Sequence, residues 1–358
     1  MISSCPRTSA RRNERYQYLR ASPGERRRCL LLPPQGALYL TLLSQHSLGN
    51  GIIVMLPLLS LRWGMNDFPR LTEEEAQTYV HQSFSQTPED LIAFRNLILS
   101  FYSAHGRPFR WRETRDPYAI LVSEVMLQQT QTARVVPKYE TFLSRWPSFS
   151  SLSEVSTEEL LSVWKGLGYN RRALNLRKSA RMTQDWGWTI PNDKALIEGL
   201  PGVGKATCAA IRSFCFGEKS VYLETNIRRV LLTSFYPQQE EVKDKDLELL
   251  LYQMSLINED MRIWYYALMD YGVLLKAIFP NANKRSAHYT KQKRFENSNR
   301  QIRGLLVHLL TDTGAKELSE IYGLLSHFED ERIRYSLEQL EQEGFVQEKD
   351  GVYGLSED

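Results

Sequence analysis

Glu124 stands where a carboxylate is hard to explain as a solvated surface charge. It lies within Ala119-Ile120-Leu121-Val122-Ser123-Glu124-Val125-Met126-Leu127, a run too apolar for an exposed face. Burying a carboxylate is costly unless it is paired, and the loss of water raises its pKa. An acid raised in this way and facing a cleft makes a general acid; one facing solvent or capping a neighbour's amides is structural. Gln128, Gln129 and Gln131 follow directly, neutral amides that can occupy the gap left when a base swings out of a duplex, or simply end a helix.

The second stretch with chemistry in it is Leu200-Pro201-Gly202-Val203-Gly204-Lys205-Ala206-Thr207. Gly202 and Gly204 let the backbone turn tightly and approach a partner closely. The helix that opens at Gly204 has a core face at Ala209, Ala210, Ile211, Phe214 and Phe216. Its free amides and positive dipole end suit a phosphate. The same turn also joins core helices in many folds, so it does not settle a function alone. A further acid, Glu224, closes the stretch within Val221-Tyr222-Leu223-Glu224-Thr225-Asn226.

The elements that must carry these residues read as helices. Leu91, Ile92, Phe94, Leu97, Ile98, Phe101 and Tyr102 recur at three- and four-residue steps from Pro88 onward. A basic, aromatic turn, Arg107 to Arg112, precedes a helix starting at Asp116-Pro117. Core faces continue through Tyr139, Phe142, Leu143 and Trp146, then Leu160, Leu161 and Trp164, then Leu174 and Leu176. Arg171, Arg172, Arg177, Lys178 and Arg181, with no acid among them, read either as a solvated face or as a grip on phosphates. Tyr169, after Gly166-Leu167-Gly168, reads as a wedge beside a flipped nucleotide or as a core aromatic.

Hairpin and acid together resemble the helix–hairpin–helix, Gly/Pro-rich, terminal-acid superfamily of DNA glycosylases. Pro117-Tyr118 and the run Ser123 to Gln131, with Trp164-Lys165-Gly166-Leu167-Gly168-Tyr169, are similar to the MutY-type adenine DNA glycosylases over about Leu91 to Gly272. The resemblance implies an all-α, two-lobed core that removes adenine mispaired with 8-oxoguanine or guanine. In it Glu124 protonates the leaving base and Glu224 faces the sugar cation. Gln128, Gln129, Gln131, Tyr169, Gly202, Val203, Gly204, Lys205, Thr207 and Arg228 contact DNA. Trp111, Arg112, Leu127, Ala206 and Tyr266 line the base pocket, and a monovalent cation sits at Gly202–Gly204.

Several positions differ from that family. Glu224 replaces an aspartate, and Tyr266 replaces the polar residue that reads adenine's amine. Ala206 stands where bifunctional relatives carry a Schiff-base lysine, so a monofunctional enzyme is expected. No cysteine follows Cys215, so no iron–sulfur cluster is expected. Thymine or uracil in a G mismatch, or lesion binding with little catalysis, are the alternative readings.

A chain of 358 residues can bury a sizeable core, and a net charge of +3 leaves DNA binding to local clusters. The four cysteines form no C-x-x-C pair, which points to a reducing, intracellular setting, and for a DNA-repair enzyme of the kind the resemblance implies the expected location is cytoplasmic and nucleoid-associated. Residues 1–35 hold eight arginines and two glutamates without apolar periodicity. They read as a transit peptide, a basic arm, or upstream sequence before a true start at Met65. The run Gly51 to Trp63 is broken by Pro57 and Arg62 and is too short to span a membrane.

The predicted organisation is an extension (1–64), a glycosylase core (65–298) and a winged-helix domain (299–358). The core divides into a six-helix lobe (about 113–221), a second lobe (86–112 with 222–275) and a basic linker (276–298). The winged helix is read from helices over Ile302–Leu310, Leu318–Leu325 and Arg332–Leu340 and a hairpin through Asp350-Gly351. Six acids over Glu329–Glu343 disfavour entry of its third helix into a groove, so a structural or protein-binding role is expected. A monomer acting on mismatched or oxidised double-stranded DNA follows from these readings.

Overall fold

A computed structural model describes residues 68, 71–80, 82–279, 281–287, 289 and 295–356. The readings of residues 1–64 and of 290–294 in the basic linker lie outside them. The described chain is helical, as its periodicity predicts. It runs α1 (Glu73–Val80), α2 (Pro88–His105), α3 (Pro117–Leu127), α4 (Thr132–Arg145), α5 (Phe149–Ser153), α6 (Thr157–Trp164) and α7 (Arg171–Met182). There follow α8 (Lys194–Glu198), α9 (Lys205–Phe216), α10 (Thr225–Ser234), α11 (Asp244–Leu256), α12 (Met261–Ile278) and α13 (Asn299–Thr313). The carboxy-terminal part adds β1 (Lys316–Glu317), α14 (Leu318–Leu324), α15 (Asp330–Gln342), β2 (Val346–Lys349) and β3 (Val352–Leu355).

Local chemistry explains the boundaries that matter for the site. Asp116 caps α3 by accepting from the Tyr118 and Ala119 amides, and Pro117 occupies the first helical position, where no amide is needed. α3 packs on α4, α7 and α9, while α2 and α10 pack on α12. The chain therefore builds half of one helical group, leaves to build the other, and returns.

Two buried charges hold these groups. Asp270, fully buried on α12, accepts from Arg107 and Arg112 of the turn after α2 at 2.8–2.9 Å. Arg177, fully buried on α7, donates to the Val155 carbonyl (2.6 Å) and Thr157 Oγ1 (3.1 Å).

The arginine run on α7 is thus not a phosphate grip as a whole. Arg172 and Arg177 face inward, and Arg181 Nε donates to the Ser153 carbonyl at 3.0 Å. Nor does a linker begin at residue 276. α12 continues to Ile278, and Arg285 turns inward onto the carbonyls of Leu232 (2.8 Å) and Tyr236.

At the carboxy terminus α13 packs on α15, and three antiparallel strands lie in the order β1-β3-β2. Val346 pairs with Leu355 and Lys349 with Val352, closing the hairpin at Asp350-Gly351 as the sequence predicts. β1 was not legible, since two residues carry no alternation. Among the described residues no helix is long and apolar enough to cross a membrane.

Candidate active site

Glu124 sits in the last turn of α3, partly buried among Ser123, Val125 and Met126, which are buried. Its Oε2 accepts from the Tyr222 hydroxyl at 3.4 Å. Burial pushes its carboxyl up to about 7; the Tyr222 hydroxyl opposes this and the charge of Glu224 adds to it. The acid raised by an apolar setting, expected from sequence, is the one found.

Glu224 precedes α10 and caps it. Its Oε1 accepts from the Asn226 and Ile227 amides at 2.8 and 2.9 Å, and its Oε2 from Asn226 Nδ2 at 3.4 Å. The side chain, one methylene longer than aspartate, therefore folds back into a helix-capping position. Burial raises its pKa, against the two amides and the charges of Arg229 and Arg228.

The extended segment before α10 is fixed from α12. The Tyr222 amide donates to the Tyr265 hydroxyl (3.1 Å), which itself donates to the Ser220 carbonyl (2.5 Å). Tyr222 also meets Phe214 and Tyr265 edge to face.

Three loops that the sequence separates widely are brought together. Gln128 Nε2 reaches Thr207 Oγ1 at 3.3 Å and the Gly202 carbonyl at 3.5 Å, joining the end of α3 to the hairpin. Arg172 joins the end of α3 to the Tyr169 loop. It donates to the carbonyls of Val125, Met126, Gln128, Leu167 and Gly168 and to Thr130 Oγ1, at 2.6–3.1 Å. Gly202 takes φ +79°, and a Cβ there would meet Asn175 Nδ2 at 3.0 Å, so glycine is required.

Gln129, Gln131, Gly204, Lys205 and Ala206 are exposed around these loops, and Leu127 is half-buried. Tyr169 adopts φ +49° in its turn, and its hydroxyl accepts from Arg300 of α13 at 2.9 Å.

Other expected contacts are placed differently. Arg228 pairs with Asp244 at 2.7 Å, so its charge is already matched rather than open to DNA. Val203 and Thr207 are buried, which leaves Val203 only its backbone for a partner. Trp111 is a core residue stacked on Phe109. Arg112 is held by Asp270 through both terminal nitrogens, its buried Nε has no hydrogen-bond partner among the described residues, and it lies over the Tyr266 ring at 4.7 Å, so it walls the site through Tyr266. Tyr266 stacks on Phe214.

Sequence reasoning missed the roles of Tyr222, Tyr265 and Asp270, and it read Arg172 as a solvated or phosphate-facing charge rather than a buried staple. Asp270 carried the signal that singled out Glu124, a lone acid in an apolar helix; Tyr222 carried only its place two residues before Glu224.

Among the described residues the two thiols present do not fit an iron–sulfur cluster. Cys208 and Cys215 are both buried on α9, and no cysteine follows them in the sequence. At the hairpin the Leu200 carbonyl accepts from the Val203 amide (3.0 Å), and the Gly202 carbonyl from Gln128, so a cation there would compete with the latter contact.

Residues 122–253 match the HhH-GPD superfamily of base excision DNA repair proteins. The chain is 37% identical over 192 residues to an adenine DNA glycosylase of Buchnera aphidicola, covering 51% of this chain and 53% of that one. It is 38% identical over 152 residues to the human adenine DNA glycosylase, covering 40% of this chain and 28% of that one. Against a thymine/uracil-DNA glycosylase of Methanothermobacter thermautotrophicus identity is 32% over 187 residues, 51% of this chain and 85% of that one. The chain thus spans about half the length, or less, of the adenine glycosylases it matches.

Proposed function

The chain belongs to the HhH-GPD superfamily of base excision DNA repair proteins, and from that premise we propose that it is a monofunctional DNA glycosylase removing adenine opposite guanine or 8-oxoguanine. The observation that carries the reading is two acids served by one segment, Glu124 bonded to Tyr222 and Glu224 capping α10 two residues further on, near enough for the charge of Glu224 to act on Glu124. A duplex hides the bond to be cut, so the nucleotide must first be turned out of the stack. The exposed amides of Gln129 and Gln131 and the first turn of α9 flank the path it takes. Glu124, protonated in an appreciable fraction near neutral pH, then donates to the leaving base, and its carboxylate, once ionised, orients the water that adds to the sugar carbon and takes the proton that water gives up. Glu224, held on the amides of α10, opposes the positive charge that develops on the sugar.

Ala206 offers no amine, so no imine forms and the strand is not cut. We read the enzyme as free of an iron–sulfur cluster, on its missing cysteines. The three helices and three strands after residue 298 are read as a winged helix with a structural or protein-binding role.

Single-turnover reactions on duplexes with A opposite 8-oxoguanine, A opposite G, T opposite G and U opposite G test the proposal. Strand breaks in the adenine duplexes alone, and only after alkali, are expected. Glu124→Gln should abolish them while duplex affinity survives; persistent excision in that variant would overturn the mechanism. A second reading, thymine or uracil excision, is favoured by the 85% coverage of the thymine/uracil relative and by Tyr266 in the pocket wall. Cleavage of the T or U duplexes would establish it.

A further inference from the structure

The hydroxyl of Tyr222 has one hydrogen-bond partner among the described residues, Glu124 Oε2. The residue is buried, and its phenol is held neutral: burial raises its pKa well above the usual value, and the charges of Glu124 and Glu224 add to this. A buried hydroxyl that fails to donate is costly, so its proton is directed at that oxygen. The ring cannot turn away, because Phe214 and Tyr265 flank it and the Tyr265 hydroxyl holds its amide. When Glu124 is protonated, the oxygen that accepts from Tyr222 is the poorer place for the acid's own proton.

We propose that Tyr222 is a positioning residue that, by donating to Oε2 of Glu124, keeps the acid's transferable proton on Oε1. The proposal rests on the acid role of Glu124 argued above, and it concerns a residue to which the sequence analysis gave no role. The segment before α10 then serves the site twice, since the backbone that delivers Glu224 to its cap delivers, two residues earlier, the hydroxyl that orients Glu124.

The other groups facing Glu124 do not substitute for it. Glu224 raises its pKa from the head of α10. The Cys215 thiol of α9, pushed up to about 12 by burial, and the Tyr266 phenol of α12, also raised by burial, are neutral. Arg172 of α7 faces the last carbonyls of α3.

Tyr222→Phe keeps the ring and its contacts and removes only the donor. In the free protein, infrared titration of the carboxyl band lost in Glu124→Gln reads the acid directly, without any excision. The Phe variant should move that midpoint upward by about 0.5–1 unit, because the ionised form loses a donor. Fluorotyrosine incorporated at position 222, a stronger donor of nearly the same shape, should move it downward. In single-turnover excision the plateau at acid pH should fall about tenfold, while the alkaline limb moves up with the midpoint. Affinity for a duplex with a tetrahydrofuran abasic analogue should hold.

A residue that only packs would change the melting temperature and leave both titrations in place. Superimposable midpoints for wild type and both variants would overturn the proposal. If wild type excises no base from any duplex, the proposed function fails instead, and the infrared titrations still decide the role of Tyr222.

Discussion

Glu124 is raised chiefly by burial, and burial acts on stability as well as on chemistry. Its pKa in the fold, about 7, lies above the ordinary 4.5. Between those values the folded state holds the proton that the unfolded chain releases, so stability falls as pH rises from 4.5 to 7 and levels off above. The loss is about 3 kcal/mol from a displacement of this size. Glutamine carries no charge to desolvate. Glu124→Gln should therefore melt with wild type near pH 4.5 and clearly above it at pH 8, by calorimetry or dye-monitored melting. A gap that stays constant with pH would show that the carboxylate is solvated. The Asp270 cluster is the opposite case: a buried acid met by two guanidiniums.

At the level of elements, the site depends on how closely α10 approaches α12. Gly272 of α12 lies against the start of α10, and a Cβ there would meet the Asn226 carbonyl oxygen at 2.5 Å and its Cβ at 2.7 Å. Asn226 is the residue whose amide and side chain hold Glu224. Gly272→Ala cannot be absorbed by a flexible side chain, because the nearest atom is backbone. Overpacking of this kind costs about 1–3 kcal/mol. The variant should unfold at lower denaturant concentration and lose excision more than duplex affinity, since the displaced element carries a catalytic acid. Unchanged excision would show that α10 yields without moving Glu224.

Taken whole, the molecule binds its carboxy-terminal part to the loop that carries Tyr169. Lys165 pairs with Asp312 at 2.5 Å, Arg171 with Glu343 at 3.1 Å, and Arg300 reaches the Tyr169 hydroxyl. Lys165, Asp312 and Arg171 are about half exposed. Such pairs contribute about 0–1 kcal/mol each and weaken with salt. Arg300→Ala with Asp312→Ala should speed amide exchange over Gly166–Asn170 by about fivefold, which corresponds to roughly 1 kcal/mol, while the melting temperature stays nearly constant. Wild type at high salt should move toward the variant. Equal exchange in both would show that Arg172 alone, from beneath, orders the loop.

Periodicity and local chemistry determined the helices, the turn at Gly202, the closing hairpin at Asp350-Gly351 and the suspicion attached to Glu124. Each of these depends on residues close in the chain, where spacing is a sufficient record of geometry. Tertiary structure alone decided which charges face inward. Arg172 and Arg177 share a helix with Arg171 and Lys178, yet only the first pair is buried, because α7 presents that face to carbonyls left open by α3, α5 and α6. Arg228 looked available until α11 brought Asp244 to it, and Tyr222 was a plain aromatic until α3 placed a carboxylate above its hydroxyl. A residue's partner across long sequence separation is set by packing of whole elements, and no local pattern encodes it.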